Sequence, residues 1–469
     1  MSSSKYLDIP TELIVEPVIT DTGISIRVNE QEFPIEYPRD VWNATSAGLK
    51  NRLLSNLSMA STLYLPQILN LRSITYKTNR PIGESFFLRN GIYDAPYCAN
   101  VDGKSSVQYL KDFFNTRYLF TKDDIEVPEN IKFEPKNDGK QKRKALVLFS
   151  MGKESLLSFA LCKELDIEPV LVTIIHPGFE TEWKHKQKLV AAFEKEFKTK
   201  IHIINYQPGL LKEGKLFGKK TELGWGLHVT EYALLALPFA EVFGCEFIVC
   251  GNEQSCNDTY YDQEDVLIYR AGLDQHNDWT KQQGFLQSLI LGRSCQAYSL
   301  LEPLYEISET KILHHRYPQI GKYQMSCFSG SDTETGGRWC QKCDKCAYMY
   351  ALFRGFNFNP ETIGFTDNLF SEHNIHLYES FFTRSDDSHF YGSQGELGLA
   401  FYYSLQFKND DAAQIRFRNE LLNKFAESIK SIHAKYLGSH PTKQMPPSDH
   451  DKLMQIFSTE LAECHIPQI

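Results

Sequence analysis

The middle of this 469-residue chain predicts an α/β fold built on a doubly wound parallel sheet, and three observations predict it. Short continuous apolar runs recur, as expected of strands buried on both faces. Between them lie stretches with helical apolar spacing. The runs are far enough apart for a helix to cross over between parallel neighbours.

The elements follow in order. ALVLF (145–149) reads as a first strand, and Leu156, Leu157, Phe159, Ala160 and Leu161 give the next stretch a helical apolar face. PVLVTII (169–175) is a second strand, 183–197 an amphipathic helix, and IHII (201–204) a third strand. HVTEYALLALPFAEVF (228–243) predicts a helix bent at Pro238, and EFIVCG (246–251) a fourth strand. Ligands of such sheets bind outside the carboxyl ends of the strands, near the point where the strand order reverses. Three loops belong to that edge: 150–155, 176–181 and 251–262.

The flanks differ from this core. Residues 12–37 alternate with period two through Ile24, Ile26 and Val28 and predict strands with a hairpin, and 106–120 predicts a helix. EPKNDGKQKRK (134–144) is charged, contains glycine and has no apolar period, which marks a boundary. The expected division is an N-terminal α+β accessory domain (1–140), the α/β core (141–355) and a mainly helical C-terminal extension (356–469). Within the extension, 410–437 carries an apolar face through Leu421, Leu422, Phe425 and Ile429.

Composition excludes several classes. With 42% hydrophobic and 23% charged residues the chain is that of an ordinary globular protein. A net charge of −9 argues against broad nucleic-acid binding, which needs a basic face. The opening residues show no apolar signal core, and Glu241 and Glu246 interrupt the most apolar stretch, so a cytoplasmic protein without membrane spans is expected. Eleven cysteines in such a length do not make a disulfide scaffold.

Two motifs carry chemistry. SMGKES (150–155) lies between a buried strand and a helix amino terminus, where unpaired N–H groups and the helix dipole favour an anion. Gly152 lets backbone approach a phosphate, Ser150 and Ser155 offer hydroxyls, and Lys153 offers charge. Neither GxxxxGK[ST] nor GxGxxG is present, and a plain turn with a capping serine is the competing reading. The second motif is SCFSGSDTETGGRWCQKCDKC, in which Cys327, Cys340, Cys343 and Cys346 are spaced C-x12-C-x2-C-x2-C. Four thiolates with no open position suit structural Zn2+. An iron-sulfur cluster is the competitor, but no further cysteine follows in the ferredoxin register.

SMGKES resembles the SGGxDS loop of the PP-loop ATP pyrophosphatases, with Met151 in place of glycine and Glu154 in place of aspartate. A PP-loop domain followed by SCFSG…CQKCDKC resembles the 7-cyano-7-deazaguanine synthase (QueC) family, as do IVCGNE (248–253) and LLEPLYEISETKIL (300–313). The resemblance covers 144–354. It implies an adenine nucleotide alpha hydrolase-like fold with a four-cysteine zinc segment at 327–346. The implied chemistry is adenylation of a 7-deazaguanine carboxylate by ATP and Mg2+, with release of AMP and pyrophosphate. Ammonia then gives an amide, and a second step gives the nitrile. Ser150, Met151, Gly152, Lys153, Glu154 and Ser155 would hold the nucleotide, with Lys153 and Glu154 closest to the chemistry.

For the base, Gly251, Asn252, Glu253, Asp258 and Asp262 are the candidates, with Tyr260 and Tyr261 available to stack. Here GNEQSCNDTYYDQE departs from the family's approximate GxNxxDxSGYPDCR. Added domains on such a core suggest a larger acceptor. Long QueC-like chains of antiphage defence systems imply a protein amine, from a partner of the same operon, in place of ammonia. A homodimer is compatible with the sequence, and nucleic acid is not an expected partner. The loop 209–226, rich in glycine and lysine, is a candidate lid or a solvated surface loop. His176, His228, His314 and His315 show no ligand spacing with the cysteines and are expected to be structural. Two other readings compete: a sulfur-transferring PP-loop enzyme acting on tRNA, and an inactive nucleotide-binding module.

Overall fold

The computed structural model describes residues 10–129, 142–177, 180–212, 214–270, 272–326, 337–383, 392–407 and 410–469. Twelve strands are described: β1 (Ile14–Ile19), β2 (Gly23–Val28), β3 (Gln31–Glu36), β4 (Ser73–Arg80), β5 (Arg117–Ile125), β6 (Lys144–Leu148), β7 (Glu168–Ile175), β8 (Ile201–Tyr206), β9 (Phe247–Cys250), β10 (Thr259–Tyr261), β11 (Leu267–Tyr269) and β12 (Gln296–Ser299). Ten of them form one sheet in the order β12-β9-β6-β7-β8-β3-β2-β1-β4-β5, and β10-β11 is a separate hairpin. From β12 to β8 every pairing is parallel.

Within this parallel block the chain runs outward from β6 through β7 to β8, then returns to lay β9 and β12 on the other side of β6. The strand order therefore reverses between β6 and β9. Their following loops, at 150–155 and 251–257, diverge at one crevice, the position where such sheets bind ligands.

Alternation along each strand feeds two cores. Ala145, Val147, Phe247 and Val249 pack with the helices Lys153–Glu164 and Glu180–Phe197 and with the C-terminal helices. Leu146, Val170, Val172, Ile248 and Cys250 face the opposite core, with the helices Ala47–Thr62, His228–Leu235 and Asn277–Leu291. Both faces are buried, which is why these strands lack polar alternation.

The N-terminal strands continue the same sheet. β3 pairs antiparallel with β8, β2 and β1 follow as a meander, and β4 and β5 complete the edge in parallel. The helix expected over 106–120 stops early: it spans Ser106–Phe114, and Arg117–Ile125 is β5. Asn115 and Thr116 end the helical pattern, and Tyr118 and Phe120 alternate with exposed Leu119 and Thr121 against β4. The helix expected over 228–243 divides into His228–Leu235 and Leu237–Phe243, with Pro238 in the first turn of the second, where its missing N–H costs nothing.

The C-terminal region is helical. Phe401 stacks against Phe370, Phe381 and Phe417 at centroid separations of 4.9, 5.2 and 5.4 Å. The stretch expected to be one helix over 410–437 is Ala412–Glu420 and Leu422–Tyr436, and Phe425 and Ile429 are buried as their spacing predicts. Residues 440–445 then cover the outer edge of β12. Ser299 donates its N–H to the Gln444 carbonyl at 3.0 Å, and Glu302 accepts the N–H groups of Lys443 and Gln444. No described helix is long and apolar enough to cross a membrane.

The crevice depends on close packing between its two loops. A Cβ on Gly251 would stand 2.9 Å from the Glu154 Cβ, so Gly251→Ala must push the two loops apart. We expect it to cost about 1–3 kcal/mol, read as a lower urea midpoint at unchanged slope. Unchanged stability would contradict the packing.

Candidate functional site

The loop 150–155 is a compact turn held by its own serines. Gly152 donates its N–H to Ser150 Oγ (3.2 Å), Ser150 donates its N–H to Ser155 Oγ (3.2 Å), and Ser155 Oγ donates to the Gly152 carbonyl (3.0 Å). Gly152 is the N-cap of the helix Lys153–Glu164. There a Cβ would crowd Glu154 Oε2 at 3.0 Å and Ser150 Oγ at 3.1 Å. Met151 stands at φ 64°, the left-handed conformation that glycine adopts without cost, and its side chain is buried. The substitution that departs from SGGxDS is therefore accommodated, at about 1–2 kcal/mol of backbone strain.

Lys153 does not face solvent above the loop. Its side chain is 1% exposed, and its ammonium lies 2.5 Å from Glu154 Oε1, 2.9 Å from Glu306 Oε2 and 3.0 Å from Glu309 Oε2. Glu253 faces the same cluster, and Glu396 Oε1 accepts the Ile307 N–H at 3.0 Å. Four helices start here: Lys153–Glu164, Glu306–Arg316, Asp344–Gly355, which brings Lys345, and Gln394–Ser404, which brings Glu396. Their positive dipole ends and the two lysines offset the collected carboxylates.

The offset is incomplete, and burial raises several carboxyls of the cage. Burial, partly countered by Lys153, pushes Glu309 up to about 8, and burial together with Glu306 pushes Glu396 up to about 7. Burial and Glu306 hold Glu253 well above the ordinary carboxyl range. For Glu154 burial acts upward, but Lys153 and then Lys345 outweigh it and hold the carboxyl below its usual value. The side chains of Glu154 and Glu306 are 36% and 21% exposed and form the mouth of the cage, whereas Glu309 is its floor.

Of the residues expected to read a base, Gly251, Asn252 and Glu253 stand beside the loop 150–155. Asn252 donates to Thr280 Oγ1 at 3.1 Å, and Glu253 accepts from Ser255 Oγ at 2.5 Å. Asp262 lies elsewhere, in the turn of the β10-β11 hairpin. It accepts Ser106 Oγ at 2.6 Å and the N–H groups of Glu264 and Val266 at 2.8 and 2.9 Å. Burial would raise this carboxyl, but those hydrogen bonds lower it, and they give Asp262 a full set of structural partners. Asp258 is half-buried at the base of the same hairpin, where its carbonyl accepts the Arg270 N–H, and Tyr260 and Tyr261 are exposed on it.

The metal segment is adjacent. Cys340, Cys343 and Cys346 bring their sulfurs within 4.8 Å of one another, with Cys340 and Cys346 3.6 Å apart. Two thiolates sharing a tetrahedral ion at about 2.3 Å stand about 3.8 Å apart, so the trio fits one metal ion. Cys343 caps the helix Asp344–Gly355, whose positive end favours thiolates. Trp339 anchors the segment by donating to the Ile363 carbonyl (2.7 Å) and stacking on Phe365. Cys327, the expected fourth ligand, lies outside the described residues. His315, Glu460 and Glu463 form a second trio, but Arg316 and Lys311 take the same carboxylates, which makes it an ordinary surface ion-pair network.

The loop 209–226 is pinned in place. Lys212 lies buried against Glu231 at 2.5 Å, Thr221 Oγ1 donates to Asp102 at 2.5 Å, and the Glu222 N–H donates to Asp102 at 2.8 Å. Burial lowers His176 to about 3 and both His228 and His314 to about 4, so all three are neutral packing groups. Glu306, Glu309, Glu396 and Lys345 are not singled out by the sequence. Glu306 and Glu309 lie at i, i+3 in the first turn of a helix, the one local signal that points at them.

No family model matches the chain, and no curated protein matches it.

Two outcomes follow from the cage. Lys153→Met leaves the carboxylates of Glu154 and Glu306 without their shared buried cation and is expected to cost about 3–5 kcal/mol, measured by denaturant unfolding. The second concerns pH. Glu309 keeps its proton in the folded chain up to about 8, whereas the unfolded chain loses it near the ordinary carboxyl value. The stability this group contributes is thus fully present at low pH and lost as pH rises toward 8. The buried histidines act in the opposite direction, with a midpoint near about 6.5 in the unfolded chain, but they contribute equally to wild type and Glu309→Gln and cancel in the comparison. Between pH 6.5 and 8 the wild type should therefore lose more stability than Glu309→Gln. Parallel pH profiles would contradict the assignment.

Proposed function

We propose that the protein is an ATP-dependent adenylating enzyme acting on a 7-deazaguanine carboxylate, similar to the 7-cyano-7-deazaguanine synthases among the PP-loop pyrophosphatases. The observation that carries this reading is the placement of the SMGKES turn at the strand-order reversal, opening a helix beside two partly exposed carboxylates.

At that position the helix amino terminus suits the nucleotide phosphates. Glu154 and Glu306 would hold Mg2+, which usually takes one or two carboxylates and completes its shell with phosphate oxygens and water. The ion would neutralise charge building on those oxygens. Gly152 and the serines let the chain approach the phosphates, and the cage holds the loop in one geometry. The substrate carboxylate attacks the α-phosphorus, an O–P bond forms, and pyrophosphate leaves. An amine then attacks the acyl carbon, the C–O bond to AMP breaks, and the amine releases a proton. Asn252 and Glu253 are the candidates for base contacts that lie within the crevice. A structural Zn2+ on Cys340, Cys343 and Cys346, with Cys327, would fix the neighbouring segment.

The test is pyrophosphate release from ATP and Mg2+ with and without 7-carboxy-7-deazaguanine, followed by mass spectrometry. Substrate-dependent release is expected, falling by about 100-fold or more in Glu154→Gln, on the scale of a lost electrostatic contact. The product mass distinguishes amide, nitrile and protein conjugate. Absence of AMP under all conditions would contradict adenylation of this substrate.

A further inference from the structure

The two edges of the ten-stranded sheet are finished differently. At β12 residues 440–445 cover the edge, where Ser299 donates its N–H to the Gln444 carbonyl. At the other end β5 pairs with β4 alone, and among the described residues no backbone hydrogen bond reaches its outer side. A bare edge of this length is a template for a further strand. Arg117 donates its N–H to the Arg72 carbonyl at 2.9 Å and so turns toward β4. Alternation then turns the N–H and C=O groups of Tyr118, Phe120 and Lys122 outward. The first register shift sets two β4 residues against Thr121, so β5 itself runs unbroken to Lys122.

The side chains of this edge are complementary to themselves. Leu119 is 47% exposed, the Asp123 side chain 89%, and Arg117 and Lys122 are exposed as well. Among the described residues Arg117 and Lys122 form no ion pair. Asp123 has one 3.4 Å contact with Arg80, which Glu84 holds at 2.7 Å. Two copies related by a two-fold axis through the sheet would pair β5 with β5 antiparallel, and the charges select the register. With the axis at Phe120, Arg117 faces Asp123 of the partner subunit, Tyr118 faces the partner's Lys122, and Leu119 faces the partner's Thr121. The outward groups of Phe120 then exchange both hydrogen bonds with those of its copy. An axis at Leu119 sets Arg117 against Thr121, and one at Thr121 sets Asp123 against Leu119. An axis at Lys122 or Asp123 sets that charge against itself, which is unfavourable.

We propose that the outer edge of β5 is a homodimer interface, in which two copies pair antiparallel about Phe120 and one sheet runs through both. The occupant is a second copy because, of these registers, one alone matches opposite charges and opposes no like ones. Phe120, stacked on Tyr76 at 5.1 Å, gives the axis a rigid aromatic centre. The interface lies at the end of the sheet away from the crevice and does not rest on the adenylation reading.

The experiment is sedimentation velocity of the full-length protein over a dilution series, for wild type, Arg117→Asp, Asp123→Arg and the double reversal. Both side chains are exposed, so the variants are expected to fold, and melting temperatures check this. The wild type should dimerise. Each single reversal sets like charges across the pair at two symmetric places and should weaken the dimer by about tenfold or more, and the double reversal should restore it. Amide exchange over residues 118–122 should slow in the dimer. A wild type that stays monomeric throughout the series would overturn the proposal. A dimer that the single reversals leave intact would place the interface elsewhere, and failure of the double reversal to restore it would exclude this pairing.

Discussion

The enclosed ammonium of Lys153 is the constraint on which the crevice depends. One side chain holds together carboxylates from the start of the helix Lys153–Glu164 and from the helix Glu306–Arg316, and Glu396 ties that helix to a C-terminal one. Buried charge of this kind is expensive. It persists because four helix amino termini and Lys345 supply compensating positive potential. The arrangement fixes the loop rather than leaving it adaptable, and preorganisation of that sort is what the proposed phosphate site requires.

The cage also explains how the C-terminal residues bear on the site. Glu396 belongs to a helix far along the chain, yet it caps the helix that carries Glu306 and Glu309. The cysteine segment presents Lys345 to the same point, and residues 440–445 close the sheet edge at β12. Remote segments thus determine local electrostatics at the strand ends. The core cannot be separated from its helical extension without exposing these carboxylates.

Much of the sheet is legible in the sequence because β6, β7, β8 and β9 are buried on both faces and read as uninterrupted apolar runs. The bend at Pro238 follows from proline chemistry. β5 reads as helix because its aromatic residues fit a helical spacing as well as an alternating one, and only pairing with β4 decides between them. The continuation of the sheet through β3 is not legible, since pairing between strands so distant in the chain leaves no local pattern. At the site, SMGKES locates the crevice, but the direction of the Lys153 side chain depends on Glu306 and Glu309, which come from another helix. Asp262 has the sequence context of a base-reading carboxylate, and its real partners, Ser106 and backbone N–H groups, belong to a distant helix and to the hairpin turn. The glycines and lysines of the loop 209–226 suggest a lid, yet Asp102 and Glu231 anchor it.

The most direct test of the central claim is a crystal structure with Mg2+ and a non-hydrolysable ATP analogue. The account predicts the phosphates above residues 150–155, with Mg2+ between Glu154 and Glu306 and Lys153 still enclosed by its carboxylates. Phosphates bound away from this crevice, or Lys153 withdrawn from Glu309 to meet them, would contradict it.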